Sequence, residues 1–120
     1  MRWAFFAFFL IASAVSARAE PTDQGQRATF RWLDKISGDV TDTDIDVGDS
    51  ARYGSLQLNL SECRFPADNP SGDAFAWLSI QDMAQDAAPL FDGWMFASSP
   101  ALNALDHPRY DVWLMRCTSS

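Results

Sequence analysis

Cysteine occurs twice in the 120 residues, histidine once, and the 9 basic side chains are outnumbered by 16 acids. Each scarcity closes a class of function. Duplex nucleic acid is held by Lys and Arg that neutralise phosphates, so a net charge of −7 excludes any such role resting on bulk charge. Neither a glycine-rich phosphate loop nor a dinucleotide fingerprint is present, so no nucleotide cofactor is expected. The cysteines lack the C-x-x-C spacing that redox pairs favour, and two thiolates with one imidazole leave a tetrahedral zinc site short of a ligand. No metal and no other cofactor is expected. Repeats and low-complexity runs are missing too, and the length allows one domain.

What is present begins with a targeting pattern. Arg2, the apolar run Trp3–Val15 and Ala17-Arg18-Ala19 are the three parts of a secretory signal. The run would span only ~20 Å of a ~30 Å hydrocarbon core, which argues against a membrane anchor. No later stretch is apolar enough to span a bilayer, and no cysteine follows the cut to carry a lipid. The expectation is a signal peptide over 1–19, cleavage before Glu20 and a periplasmic or secreted product with no stable membrane anchor. The cut removes Arg2 and Arg18 and no acid, which takes the net charge from −7 to −9. In an exported chain of this size Cys63 and Cys117 read as one structural disulfide, closing a long loop and stabilising by ~4 kcal/mol in the chain-entropy model.

Residues 20–27 are polar, contain Pro21 and Gly25, and read as a flexible leader. Residues 28–118 read as a single compact β-rich domain, because apolar residues recur with the strand period of two. Phe30 and Trp32 alternate with Thr29 and Arg31; Leu56, Leu58 and Leu60 alternate with Gln57, Asn59 and Ser61. Cys63 falls on the phase opposite those leucines, so either it faces outward or a one-residue bulge after Leu60 turns it inward. Ala74–Ile80 is apolar on both phases apart from Ser79, the pattern of a central strand covered on both faces. Asp92-Gly93 is a hairpin dipeptide, although Pro89 leaves little strand before it. Ser99 and Pro100 read as the N-cap and first residue of a short helix, with Leu102 and Leu105 on one face and Pro108 beyond its end. The last strand, Tyr110–Cys117, carries Trp113, Met115 and Cys117 on one phase and Val112 and Leu114 on the other. The fold class is mainly β: a small antiparallel barrel or sandwich with one short helix.

Several of these segments occur together in a known family. Phe91-Asp92-Gly93-Trp94-Met95-Phe96-Ala97-Ser98-Ser99-Pro100, Leu105-Asp106-His107-Pro108, Tyr110-Asp111-Val112-Trp113 and Cys117 resemble a bacterial exported family, domain of unknown function 2155. Leu33-Asp34-Lys35, Cys63-Arg64-Phe65-Pro66 and Asn69-Pro70 fit it as well. The resemblance runs from about Ala28 to Cys117. It implies a compact exported domain and carries over no catalytic residue.

Three constellations bear on chemistry. Asp42, Asp44 and Asp46 invite a calcium reading, but an EF-hand loop counted from Asp42 puts Val47 where glycine is needed and Tyr53 where glutamate is needed. The pattern fits an edge strand guarded by outward aspartates, and a basic partner surface is one thing such a face could meet. His107 could serve a small hydrolase with a nearby serine, Ser98 or Ser99, and Asp111 as the acid that orients its ring, but no G-x-S-x-G elbow is present. The simpler reading is a histidine hydrogen-bonded to local backbone. Of the tryptophans beyond the signal, Trp77 and Trp113 read as core, while Trp32 and Trp94 are less settled; an exposed aromatic could stack on a sugar or anchor a protein. The function expected is a non-catalytic envelope module that binds a protein or a cell-wall component, with Trp94, Ser98, His107, Tyr110 and Asp111 as candidate binding residues. The alternative is the hydrolase built on His107.

Overall fold

Polar and apolar residues alternate along most of the chain, and a computed structural model, which describes residues 21–69 and 71–119, turns that alternation into eight strands. They are β1 (Thr22–Gln24), β2 (Arg27–Asp34), β3 (Val40–Asp46), β4 (Ser50–Tyr53), β5 (Leu56–Pro66), β6 (Phe75–Asp82), β7 (Ala88–Phe96) and β8 (Tyr110–Thr118). One sheet runs β1-β5-β6-β7, with β4 also paired to β5; the other runs β3-β2-β8, and every pairing is antiparallel. The sheets face each other across Leu56, Leu58, Leu60, Leu78 and Ile80 on one side and Phe30, Trp32, Val112 and Leu114 on the other. Burying each such side chain is worth ~1.5–3 kcal/mol. The architecture is a two-layer sandwich.

Two bulges decide which way the cysteines point. On β5, Leu60 pairs with Leu78 and Glu62 with Trp77, so Ser61 is an extra residue and Cys63 turns into the core. On β8, Leu114 pairs with Phe30 and Arg116 with Thr29, so Met115 is extra and Cys117 also turns inward, away from the side of Trp113. The Cys63–Cys117 disulfide fits there, with its Cα atoms 5.9 Å apart, and ties one sheet to the other. Gly25, where the chain crosses from β1 to β2, lies against it. A Cβ on Gly25 would land on Cys117 Sγ, 3.3 Å from Cys63 Sγ and 3.0 Å from the Thr118 carbonyl.

Several expectations need correction. Among the described residues there is no helix: Ser99–Leu102 makes a single turn, closed by Leu102 N–H donating to the Ser99 carbonyl at 3.0 Å. Leu102 is 71% exposed while Leu105 is buried, so the two share no apolar face, and one turn does not repay helix nucleation. Asp92-Gly93 is not a hairpin turn but lies inside β7; the β6–β7 connection is 83–87, where Asp86 and Ala87 take positive φ. Trp77 is 38% exposed and Trp113 half-buried, whereas Trp32 is fully buried. A two-layer domain has no third layer to cover the outer phase of a central strand, so β6 buries Ala76, Leu78 and Ile80 and leaves Phe75 and Trp77 outside. Thr22–Gln24, within the segment read as a leader, is strand β1 against β5. The signal segment 1–19 lies outside the described residues.

Candidate functional site

The outer face of the larger sheet is ordered into rungs by strand register. Arg64, Phe75 and Phe96 lie side by side across β5, β6 and β7; Glu62, Trp77 and Trp94 form the next rung, and Asn59, Ser79 and Asp92 the third. Successive rungs stand roughly 6.6 Å apart. Phe75 and Phe96 meet edge to face with centroids 5.9 Å apart, and Trp77 and Trp94 do the same at 5.5 Å. Such pairs are favoured by the ring quadrupole and contribute ~0.5–1.5 kcal/mol each beyond burial. The third rung changes character: Gln57 donates to Asn59 Oδ1 at 3.1 Å, and Asn59 donates to Ser79 Oγ at 3.2 Å. Aromatic and amide groups thus follow one another along one open face.

A groove of about 290 Å³ opens at the aromatic end, lined by Thr22, Arg64, Phe75, Trp94 and Phe96. Its walls are apolar and its polar rim comes from Arg64 and Thr22. Arg64 Nε donates to Glu62 Oε1 at 2.7 Å, and its Nη1 donates to Thr22 Oγ1 at 3.4 Å. The ion pair is part-buried, and it neutralises the guanidinium without using all of its N–H groups. Asn103 Nδ2 donates to the Trp94 carbonyl at 2.9 Å, which covers part of the free edge of β7.

The residues singled out from the sequence do not converge. Trp94 lies in the groove. Ser98 lies beyond β7, where its N–H and Oγ donate to Asp73 at 2.9 and 2.6 Å. His107, Tyr110 and Asp111 gather at the start of β8. His107 Nδ1 accepts from the N–H groups of Arg109 (3.0 Å) and Tyr110 (3.2 Å), which places the ring hydrogen on Nε2, facing Asp82 Oδ2 at 3.2 Å. Asp82 is buried and its carboxyl is held below the usual range, first by the His107 hydrogen bond and then, against the cost of burial, by the Ala84 N–H and the Ser55 hydroxyl. The partner of His107 is therefore Asp82, while Asp111 lies 3.7 Å from Lys35 Nζ. Local backbone bonds, as the simpler reading expected, account for one side of the ring.

The same cluster continues through Tyr110, which stacks on His107 (5.3 Å), meets Tyr53 edge to face (5.7 Å) and lies beneath the Arg109 guanidinium. Arg109 also clamps Asp34 at 3.0–3.3 Å and is the first cause of a carboxyl lowered to about 2, helped by the N–H groups of Ile36 and Ser37. Gly54, at φ +57, permits the close approach of Tyr110, whose hydroxyl occupies the position of a Cβ there. These contacts are those of a structural end-cap on the sandwich.

The aspartate strand is the edge strand β3, with Asp42, Asp44 and Asp46 exposed as expected. The aspartates are not free. Asp42 pairs with Arg31 (2.8 Å), Asp46 with Arg27 (2.7 Å), and Asp44 accepts from the Thr29 hydroxyl (2.6 Å). The hydrogen bond from Arg31 comes first in lowering the Asp42 carboxyl. No group of three or more metal-ligating side chains is assembled among the described residues.

What the residue pattern concealed is the company Trp94 keeps. Phe75, Phe96, Arg64 and Thr22 were not singled out and Trp77 was read as core, though aromatics two apart in two neighbouring strands were a legible signal. Fold and face together define a small antiparallel β-sandwich with an open aromatic groove. Residues 28–117 match the model of a family described as an uncharacterized protein conserved in bacteria, domain of unknown function 2155, and the chain belongs to that family. It is 28% identical over 87 residues to the uncharacterized protein RP359 of Rickettsia prowazekii (strain Madrid E). The match covers 71% of this chain and 56% of that relative, so the chain spans little more than half the length of the curated relative it matches. No solved structure matches the chain.

Proposed function

We propose that this domain is a non-catalytic module of the bacterial envelope, working in the periplasm or outside the cell, that binds a cell-wall glycan on the outer face of β5, β6 and β7. The observation that carries the reading is the pair of aromatic rungs, Phe75–Phe96 and Trp77–Trp94, left uncovered beside hydrogen-bonding side chains. Sugar rings have apolar C–H faces and hydroxyl edges, and this surface offers π-faces followed by the amides of Asn59 and Gln57. The Cys63–Cys117 disulfide fits an oxidising compartment.

A hydrolase built on His107 has less support. Both ring nitrogens are engaged, Ser98 is bonded to Asp73, and the serine hydroxyl near Asp82, that of Ser55, meets the carboxylate rather than the imidazole. In the triad order the imidazole stands between hydroxyl and acid. The basic-surfaced partner also loses ground, because Arg27 and Arg31 already take up much of the aspartate charge.

Sedimentation with purified peptidoglycan sacculi tests the proposal. The oxidised protein should sediment with sacculi, Trp94→Ala should reduce that at least tenfold while remaining folded, with only the small loss of melting temperature that one edge-to-face pair implies, and His107→Gln should bind as the parent does. Binding that survives Trp94→Ala together with Trp77→Ala would overturn the assignment of this face.

A further inference from the structure

Resting on the glycan reading of this face, we infer that the groove beside Arg64 recognises the acetamido group of an N-acetylhexosamine. Three chemistries meet there. Arg64 is donor-only, and Thr22, which already accepts from Arg64, retains its own hydroxyl hydrogen to give. The rim therefore asks for an acceptor. Phe75, Trp94 and Phe96 wall the remainder, so the group bearing that acceptor must present carbon to them. Glu62, on the next rung and bonded to Arg64 at 2.7 Å, cancels the guanidinium charge and turns away a carboxylate.

A neutral acyl group satisfies all three. Its carbonyl accepts from Arg64 and Thr22, its methyl lies against the rings, and its amide N–H has the Glu62 carboxylate as an acceptor. The groove, at about 290 Å³, lies at the small end of ligand pockets, a size for one sugar ring with its acetamido substituent rather than an extended chain. The adjoining Trp77–Trp94 rung is then the stacking surface for the sugar itself.

Chitotriose and cellotriose separate this inference from the reading beneath it, since they share a backbone and differ in the acetamido groups. Tryptophan fluorescence and amide chemical-shift titrations of the full oxidised chain should show chitotriose binding about tenfold tighter, the increment of one charge-assisted hydrogen bond. Thr22→Val and Arg64→Gln should each bring that ratio towards one while leaving cellotriose affinity within about twofold. Equal affinities in the parent protein would overturn the acetamido site and leave the glycan face standing. Absence of binding by both sugars and by sacculi would overturn both. If both trisaccharides fail while sacculi still bind through Trp94, the face reads another part of the wall and the acetamido site is overturned alone.

Discussion

Ser61 and Met115 hold equivalent places in the two sheets: each is the extra residue of a bulge, and each stands two positions before a disulfide cysteine. Strand parity explains the coincidence. Leu60 faces the core, so Cys63, three residues on, would face solvent in a regular strand; one unpaired residue restores the inward phase. The same count holds from Leu114 to Cys117. Each bulge converts an odd interval into an even one, and the bridge becomes possible.

Deletion of Ser61 alone should therefore leave the disulfide intact, because Glu62 follows Leu60 directly and Cys63 keeps its inward phase. Deletion of Ser61 and Glu62 together should expose Cys63 and yield two alkylatable thiols without prior reduction. Intact mass before and after alkylation reads both outcomes, and a bridged double deletion would refute the parity account.

Gly25→Ala should be poorly tolerated. The added methyl would occupy the position of Cys117 Sγ, with backbone on one side and Cys63 Sγ on the other. Overpacking of this kind costs ~1–3 kcal/mol, and thermal melting should show it. A parent-like melt for Gly25→Ala would mean that the disulfide has more room than the geometry allows.

Neighbouring serines should behave differently. Ser98→Ala removes a 2.6 Å hydrogen bond to Asp73, which joins the loop before β6 to the segment after β7, and should cost ~1 kcal/mol. Ser99 serves through its carbonyl in a single turn, so Ser99→Ala should stay within ~0.5 kcal/mol of the parent. Chemical denaturation of the two variants checks the order, and the reverse order would restore Ser99 as a helix cap.

Trp32→Phe should cost far less than Trp32→Ala. Nε1 of Trp32 has no hydrogen-bond partner among the described residues, so the indole contributes through packing. Truncation to alanine leaves a cavity worth ~3–5 kcal/mol, whereas phenylalanine keeps most of the ring against Tyr53, 5.3 Å away, and removes the unpaired N–H. Equal losses in denaturant midpoint would contradict this.

Acid stability should depend on Asp34. Its carboxyl is lowered in the folded state to about 2, so its contribution is complete above the ordinary value of 3.8 and is lost as pH falls through about 2. Asp82, lowered by His107, acts in the same direction. Asp34→Asn should lower stability at neutral pH and flatten the acid limb between pH 4 and pH 2, as followed by circular dichroism. An acid limb as steep as the parent's would assign the pH dependence to other carboxylates.

Much of the fold was written in the period of two. The leucines of β5, the alternation of β2 and the aspartates of β3 each needed only their own neighbours to declare strand, inward face and outward face, because side-chain direction in a strand is a local property. The two cysteines declared a bond by being the only pair. Tertiary structure decided what alternation leaves open. Whether the second face of β6 is covered depends on how many layers the chain can build, so Trp77 and Phe75 became a surface and Trp32 the core. The acid that meets His107 came from β6, 25 residues away, because register between distant strands, unlike period within one, is set by packing and bulges across the whole sandwich.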